Sequence, residues 1–324
     1  MRRRAVLTAA ALAAAGVVPG ALAQALYPSK PVRLIVPWPA GGGADVIGRT
    51  TAAKLSEALG QNVIVDNRAG AAGIIGTETA AKAVPDGYTI YQGNTATLGI
   101  NPALRRDLPY DATRDFAPIS LINTGALIVV IHPSLPVKNV RDLVLLAKAR
   151  PGQINYASAG AGSPSHLVSE MFKTDAGIRM EHIPYKGAAP AMIDLLAGQI
   201  DLMFSDFITC FPHVKAGKLR AIAVTAGKRS PLVPEIPTMK ESGGPDLQAV
   251  SWSGILAPAG TPPAIVQRLN AELVKIAASA DFNEKMRVNG GTPISSTPEE
   301  FAKYIRSEIV RYTKAVKDSG TKVE

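Results

Sequence analysis

The sequence predicts an α/β fold made of two doubly wound lobes joined by a hinge, and three observations support this prediction. Short apolar runs alternate along the chain with segments of helical periodicity, which is the pattern of a parallel sheet. Glycine-rich loops follow two of these runs, at residues 41–43 and 158–163. The chain also passes twice between the predicted lobes, near residues 123–125 and near Val250. Two crossings are the connection expected of a hinged pair of lobes with a ligand cleft between them.

The first lobe is predicted to comprise residues 24–124 and 250–324. Its first strand, at residues 32–36, ends at Pro37 and Pro39, because neither proline has a backbone N–H for a sheet. A helix follows from Ala44. Further strands and helices of this lobe are predicted at 62–65, 74–83, 88–92, 116–122, 250–257, 262–278 and 301–316.

The second lobe is predicted to comprise residues 125–249. One of its helices begins after Ser163, a good N-cap residue, with Pro164 at the first helical position, where proline is favoured. The other elements are predicted at 126–131, 140–147, 154–157, 180–184, 188–196, 201–204, 208–216 and 219–225.

Residues 1–23 have the three parts of a signal peptide. Arg2, Arg3 and Arg4 precede an apolar stretch at 5–18 that is too short to span a bilayer, and a small-residue cleavage pattern ends at Ala23. The twin-arginine and general export routes both stay open. No later stretch is long and apolar enough to span a membrane, and Cys210 is the only cysteine. We expect an exported, periplasmic protein without a disulfide or membrane insertion.

The charge distribution argues against nucleic-acid binding. The formal charge of +9 includes the three arginines of the predicted signal peptide, the other basic residues are scattered, and aromatic residues make up 5% of the chain. A mild attraction for small anions is the better interpretation. A strand, a glycine loop and a helix start place free amides and the positive end of a helix dipole at one point, which suits an anion.

We therefore predict that the loops at 41–43 and 158–163 hold one carboxylate of a ligand between the lobes. Neither 37–46 nor 156–166 contains a lysine or an arginine, so the predicted donors are backbone amides. The predicted ligand-binding residues are Trp38, Ala40, Gly42, Gly43, Asn94, Thr95, Thr97, Ser158, Gly160, Ala161, Gly162, Ser163, His166, Tyr185 and Asp206. No cofactor and no metal are expected.

Several of these side chains have a second interpretation. Trp38 is expected to form a wall of the site, or else to pack under the hinge. Asn94, Thr95 and Thr97 either bind a distal carboxylate or a bridging water, or cap the loop that follows their strand. His166 either reaches the ligand from the first turn of its helix or is a satisfied histidine.

The acidic residues near the loops are expected to play structural roles. For Asp45 and Asp206 we favour helix caps that stiffen the loops, because a carboxylate repels an anionic ligand. If Asp206 does face the cleft, the ligand is expected to carry a hydroxyl or an ammonium group. Tyr185 and Lys186 are candidates for closing over the entrance, although an exposed lysine is usually only solvated.

Ten stretches together resemble the substrate-binding receptors of tripartite tricarboxylate transporters, also called the Bug family. They are PWPAGGGADV (37–46), VDNRAGAAG (65–73), PDGYT (85–89), INPAL (100–104), LPYDATRDFAPIS (108–120), YASAGAGSPSHL (156–167), HIPYKGAAPAMIDLLAGQIDLMF (182–204), PHVKAGKLRAIAVT (212–225), EIPTMKESG (235–243) and WSGILAPAGTP (252–262). The resemblance implies a type II periplasmic binding protein that is not an enzyme. It also implies a small carboxylate ligand (a dicarboxylate, tricarboxylate, acidic amino acid or aromatic acid) and delivery to inner-membrane transporter subunits. We expect a monomer.

Two enzyme classes are weaker alternatives. The glycines at 41–43 after a strand, with Asp66 ending the next strand, resemble a dinucleotide fingerprint and give an NAD-dependent oxidoreductase as the first alternative. Pro37 and Pro39 separate the strand from the glycines, and an exported protein has no supply of the cofactor. A hydrolase built on Ser163, His166 and Asp206 is the second alternative, but the first two residues are too close in sequence for a usual triad. The four histidines lack metal-ligand spacing.

Overall fold

The computed structural model describes residues 27–230, 233–288 and 291–320. The predicted signal peptide lies outside the described residues. The strands are β1 (Val32–Val36), β2 (Val63–Asn67), β3 (Thr89–Asn94), β4 (Phe116–Ile131), β5 (Asn155–Ser158), β6 (Glu181–Pro184), β7 (Leu202–Asp206), β8 (Arg220–Val224), β9 (Val250–Pro258) and β10 (Thr292–Pro293).

The helices that connect these strands are α1 (Gly43–Leu59), α2 (Ile74–Ala81), α3 (Asn101–Leu104), α4 (Val140–Ala149), α5 (Pro164–Ala176), α6 (Ala188–Leu196), α7 (Phe207–Lys215), α8 (Pro263–Ala278), α9 (Ala280–Val288) and α10 (Pro298–Ser319). A 3-10 turn at Ala71–Gly73 precedes α2, and a π-helical turn at Thr95–Ile100 precedes α3. None of the helices in the described part of the chain combines the length and apolar character needed to span a bilayer.

The strands are ordered β2-β1-β3-β9-β4-β7-β5-β6, and β8 and β10 also pair with β4. In the first lobe β1 is parallel to β2 and β3, and in the second lobe β5 is parallel to β6 and β7. Helices connect these parallel strands, as crossover connections require. The predicted α/β class with two doubly wound lobes is confirmed.

The two apolar runs predicted on either side of residues 123–125 are one continuous strand, β4. Its first part pairs with β9 from Phe116 to Ala126, and its last part pairs with β7 from Leu127. Residues 123–125 stay extended because β9 pairs with each of them, so polar and glycine residues that suggested a break do not interrupt the strand. The strand therefore leaves one lobe and enters the other without a turn.

Thr225 joins the two crossings at the hinge. Its backbone N–H donates to Leu127 O at 2.9 Å, and its hydroxyl accepts from Leu127 N at 2.9 Å. The same hydroxyl donates to Ala249 O at 2.6 Å. Since Leu127 and Ala249 belong to the two chain segments that pass between the lobes, one buried threonine fixes both segments.

Each lobe has its own buried core. In the first lobe, Leu34 of β1, Leu55 of α1 and Leu269 of α8 are fully buried in one cluster. In the second lobe, Phe172 of α5 and Phe204 of β7 are central to another. Burial of such side chains contributes roughly 1.5–3 kcal/mol each. A further buried cluster, formed by Ile100, Leu167 and Tyr312, joins residues of both lobes.

Candidate functional site

A cavity of about 180 Å³ lies between the two lobes, at the carboxyl ends of the parallel strands. The first lobe contributes the loop after β1, the end of β3, the middle of β4 and the start of β9. The second lobe contributes the starts of α5, α6 and α7. The residues predicted from the sequence that line it are Trp38, Ala40, Gly42, Gly43, Asn94, Ser163 and Asp206. Those that lie outside its lining are Thr95, Thr97, Ser158, Gly160, Ala161, Gly162, His166 and Tyr185.

The first glycine loop, residues 41–43, leads directly into α1. Gly41 has a φ of 82°, a left-handed conformation that glycine adopts readily, and Gly42 is the N-cap of α1 without a side-chain cap. Within the described residues, the amides of Gly42, Gly43 and Ala44 have no hydrogen-bond partner. All three residues line the cavity, so this loop offers free donors at the positive end of a 17-residue helix.

Asp45 stiffens this loop from the first turn of α1. Its Oδ2 accepts from Gly41 N and from Arg49 Nε, both at 2.9 Å, and its Oδ1 accepts from Asn67 Nδ2 at 2.9 Å. Burial alone would raise the pKa of Asp45, but these hydrogen bonds outweigh burial and hold the pKa below its ordinary value. The structural interpretation of Asp45 fits this geometry, because its carboxylate is occupied by the protein itself.

The second glycine loop, residues 158–163, differs from the first because most of its amides already have partners. The N–H groups of Ala159 and Gly160 donate to Ser165 Oγ at 3.0 Å and to Ser158 Oγ at 3.1 Å. The N–H groups of Gly162 and Ser163 donate to His166 Nδ1 at 3.2 Å and to Gly160 O at 3.0 Å. The amide of Ala161 has no partner within the described residues. The sequence therefore predicted too many free amides in this loop, because nearby serine and histidine side chains accept hydrogen bonds from most of them.

A stack of aromatic rings lies beside the second glycine loop. The ring of His182 lies 4.0 Å from that of His166 and 4.9 Å from that of Tyr156, measured between centroids. The Ser158 hydroxyl, which accepts from Gly160 N, lies within hydrogen-bond distance of His182 Nε2, at 2.7 Å. Burial lowers the pKa of His166, and burial together with the neighbouring His166 lowers the pKa of His182 to about 4. Burial thus disfavours the charged form of both rings. His166, whose Nδ1 accepts from Gly162 N, positions the loop instead of lining the cavity.

The start of α6 is a part of the site that the sequence analysis missed. Gly187 is the N-cap of this helix, and the residues from Lys186 to Pro190 line the cavity. The amides of Ala188 and Ala189 have no partner within the described residues. The sequence does contain a signal for this part of the site, because a strand, a glycine and a helix start follow one another here as they do around residues 41–43. Tyr185 points elsewhere, since its hydroxyl donates to Asp194 Oδ2 at 2.6 Å.

Asp206 both caps a helix and lines the cavity. Its Oδ1 accepts from Thr209 N at 3.0 Å and from Thr209 Oγ1 at 2.7 Å, which confirms the predicted cap of α7. Burial raises the pKa of Asp206, and the bonds from Thr209 only partly oppose this. Its other carboxylate oxygen, Oδ2, has no hydrogen-bond partner in the described part of the chain.

The residues that follow β3 are not the open loop that the sequence predicted. Asn94 Oδ1 accepts from Ala96 N at 3.0 Å and Thr97 N at 3.2 Å and so begins the π-helical turn. Thr95 Oγ1 accepts from Trp252 N at 2.8 Å, and Thr97 Oγ1 bonds the Tyr91 hydroxyl at 2.8 Å. Both threonines are fully buried. Their hydroxyls support the fold, which is the capping alternative, while Asn94 lines the cavity.

Trp38 lies beside the first glycine loop, at the wall of the cavity. Its half-buried side chain lines the cavity and also packs against the core of the first lobe. Its carbonyl accepts from Asn67 Nδ2 at 3.0 Å, which ties the loop after β1 to β2. A rigid aromatic wall beside the first glycine loop follows from these contacts.

The geometry gives no support to a catalytic Ser163–His166 pair. Ser163 Oγ accepts from the backbone N–H of His166 and lies 2.9 Å from Ser165 Oγ, whereas His166 Nδ1 accepts from Gly162 N. The two side chains do not bond each other, which a nucleophile and its base must do. Among the described residues, no group of three or more His, Cys, Asp or Glu side chains is placed to hold a metal ion.

Two hinged lobes with helix starts directed at a cleft define this molecule as a solute-binding protein. A family model described as "Tripartite tricarboxylate transporter family receptor" matches residues 47–321. The chain is 37% identical to "Protein BugT" of Bordetella pertussis over 299 residues, which cover 92% of each chain. The chain belongs to the tripartite tricarboxylate transporter receptor family.

Solved structures agree with this assignment. The chain is similar to a structure described as "R. palustris Rpa4515 with adipate", with a TM-score of 0.88, 36% identity and coverage of 91% of this chain and 98% of that chain. It is also similar to "MatC (Rpa3494) from Rhodopseudomonas palustris with bound malate", with a TM-score of 0.83, 29% identity and coverage of 90% and 100%. The family is one of solute-binding receptors, and none of these findings supports the NAD-dependent alternative.

Proposed function

We propose that this protein binds a small carboxylate in the cleft between its lobes and delivers it to the inner-membrane subunits of a tripartite tricarboxylate transporter. The observation that carries the proposal is the convergence of free backbone amides from α1 and α6, in different lobes, on one cavity. No arginine is found among the described residues that line it, and Lys186 is the only lysine there. Helix starts therefore supply the positive potential.

The number of free amides is sufficient for a useful affinity. Charge-assisted hydrogen bonds contribute roughly 1.5–3 kcal/mol each. Four or five of them offset an association cost on the order of 4–15 kcal/mol and leave roughly micromolar binding. Gly42, Gly43, Ala44, Ala188 and Ala189, which all line the cavity, provide five such donors.

Asp206 restricts the kinds of carboxylate that the proposed site can bind. A carboxylate that lines an anion site repels the ligand unless a donor lies between them. Because Asp206 does line the cavity, the proposed ligand carries a hydroxyl or an ammonium group near its bound carboxylate. The malate bound to MatC has such a hydroxyl, whereas the adipate bound to Rpa4515 has none.

The proposed site of action is the periplasm, with residues 1–23 removed near Ala23 and the mature chain acting as a monomer. The protein is proposed to have no catalytic activity of its own. In this proposal the lobes close about β4 and β9 when the ligand binds, and this motion distinguishes the ligand-bound form from the free form.

The test is a thermal-shift panel of mono-, di- and tricarboxylates, acidic amino acids and aromatic acids at neutral pH, followed by calorimetry of each acid that shifts the melting temperature. At least one acid is expected to bind at micromolar concentration and to reduce the radius of gyration in small-angle scattering. Binding of no acid in the panel, or binding without compaction, would contradict the proposal.

A further inference from the structure

A second cavity, of about 620 Å³, lies on the first lobe, outside the cleft. It is formed by the chain between α3 and β4 together with α10, and it shares no residue with the cavity between the lobes. The residues that line it are Pro102, Arg105, Arg106, residues 108–115 and Ile309. We call it the arginine cavity.

The two aspartates of the arginine cavity are bonded to the loop that carries them. Asp111 Oδ1 accepts from Thr113 N at 2.8 Å and from Arg114 N at 3.0 Å, and Asp111 Oδ2 forms an ion pair with Arg114 Nε at 2.8 Å. Asp115 Oδ2 accepts from Asp111 N at 2.6 Å. These bonds hold the loop in one conformation. With three arginines against two aspartates, the lining keeps a net positive charge.

Arg105 and Arg106 are the arginines of this cavity that lack an ionic partner. Among the described residues, no carboxylate lies within salt-bridge distance of either guanidinium. Arg105 is half-buried, and its Nε is fully buried without a hydrogen-bond partner in the described part of the chain. A guanidinium withdrawn from water costs free energy unless an anion compensates it. The described part of the chain does not supply that anion, so we expect a binding partner to supply it.

The wall around these arginines is firm and partly apolar. Tyr110 is buried, and its hydroxyl donates to Thr97 O at 2.7 Å, which anchors the loop to the π-helical turn. Leu108 and Ile309 also line the cavity. A recessed cation with apolar neighbours suits an acidic side chain of a peptide, because its stem packs while its carboxylate is bonded. A lipid surface would instead approach exposed cations, and Arg105 is half-buried.

We propose that the arginine cavity binds an acidic segment of a transporter membrane subunit, whose carboxylates pair with Arg105 and Arg106. This inference rests on the proposed function, because delivery of a ligand requires a docked receptor. Arginine bonds a carboxylate through two parallel N–H groups, which gives specificity as well as attraction. Since the arginine cavity and the ligand cavity share no residue, the docked segment does not compete with the bound ligand.

The test measures, by biolayer interferometry, how tightly the ligand-loaded protein binds the inner-membrane subunits of its transporter in nanodiscs. Arg105→Gln and Arg106→Glu are each expected to weaken this binding about tenfold or more, because each removes a positive charge from the lining. The affinity of the cleft for its carboxylate, measured by calorimetry, is expected to change less than about threefold, since neither residue lines that cavity.

Arg150→Glu is the matched control, because Arg150 is an exposed arginine of the second lobe without an ion pair among the described residues. It is expected to change neither affinity, and melting temperatures establish that every variant is folded. Nanodiscs of phosphatidylglycerol without the subunits are expected to bind neither the wild type nor the variants.

Unchanged binding of the subunits by both folded cavity variants overturns the inference and leaves the proposed function standing. An equal loss in Arg150→Glu also overturns it, because any surface charge would then have the same effect. Binding to the phosphatidylglycerol nanodiscs that the cavity variants lose would assign the arginine cavity to a membrane surface instead. A wild-type protein that binds carboxylates but not the subunits contradicts the delivery step together with the inference, whereas a cleft that binds no carboxylate contradicts the proposed function itself.

Discussion

Gly43 in the first lobe faces Asp206 in the second so closely that a Cβ atom at residue 43 would lie 2.9 Å from Asp206 Oδ1. The backbone of Gly43 does not need the left-handed conformation, so space alone requires glycine here. The carboxylate of Asp206 is held by Thr209 and cannot move freely away. The close approach of the two lobes at this point thus depends on the absence of a methyl group at residue 43.

Gly43→Ala is expected to weaken ligand binding by roughly tenfold or more, because overpacking of this kind costs about 1–3 kcal/mol in the closed form. The melting temperature of the unliganded protein is expected to change little, since alanine is a good helix residue. Calorimetry measures the first effect and thermal unfolding the second. Wild-type affinity in the folded variant would show that the contact does not limit closure.

The charge of Asp206 is expected to make binding depend on pH. Burial raises the pKa of Asp206, so lowering the pH protonates it and removes its repulsion of an anionic ligand. An acid without hydroxyl or ammonium is therefore expected to bind more tightly as the pH falls, over the range where that acid stays ionised. Asp206→Asn, which keeps an acceptor for Thr209, is expected to bind this acid several-fold more tightly at neutral pH and to lose the dependence. The same pH profile in both proteins would contradict this role.

The histidine stack is expected to make the protein less stable in acid. Burial, together with the neighbouring His166 ring, lowers the pKa of His182 to about 4, while Glu170 opposes this and Lys173 adds to it. An unfolded histidine titrates near 6.5, so the unfolded chain binds the proton more readily. The stabilisation is complete above about pH 6.5 and is lost as the pH falls towards about 4.

His182→Gln keeps a hydrogen-bonding partner for the Ser158 hydroxyl but does not titrate. We expect its free energy of unfolding, from urea titrations, to fall less steeply between pH 6.5 and 4 than that of the wild type. His132→Gln, remote from the stack, controls for removal of a histidine in general. Equal slopes in the His182 variant and the wild type would mean that the stack does not carry the effect.

The hinge threonine is expected to matter for stability. Thr225→Val keeps the shape of the side chain but leaves Leu127 N and Ala249 O without the hydroxyl that bonds both. The expected loss is about 1–3 kcal/mol of unfolding free energy. Thr313→Val removes an exposed hydroxyl that donates to Ile309 O and is expected to change stability by less than about 0.5 kcal/mol. Similar losses in the two variants would remove any special role for Thr225.

Local patterns in the sequence predicted the fold well where neighbouring residues decide the structure. The helix at 188–196 has the predicted bounds, and Ser163 accepts from the amide of His166 as an N-cap with Pro164 at the first helical position. Strand β1 also has the predicted bounds. In each case the spacing of apolar residues and a nearby capping or terminating residue determine the element, and all of them lie close together in the sequence.

The parts of the site that the sequence did not predict depend on contacts between distant segments. Thr95 and Thr97 have the composition of a loop, but Trp252 and Tyr91 bury them in a helical turn. Asn94, Ser253 and Asn123 come together only through the register of three strands. The sequence around Asn123 predicted a break in a strand that β9 keeps extended. Sequence spacing cannot reveal that pairing, because its partners are about 130 residues or more apart.

A crystal structure of the protein with a bound carboxylate tests the central claim most directly. We predict that the carboxylate lies within hydrogen-bond distance of the Gly43 and Ala44 amides and of an α6 amide. A ligand held chiefly by Lys186, or bound outside the cleft, would contradict the claim that backbone amides of both lobes bind the anion.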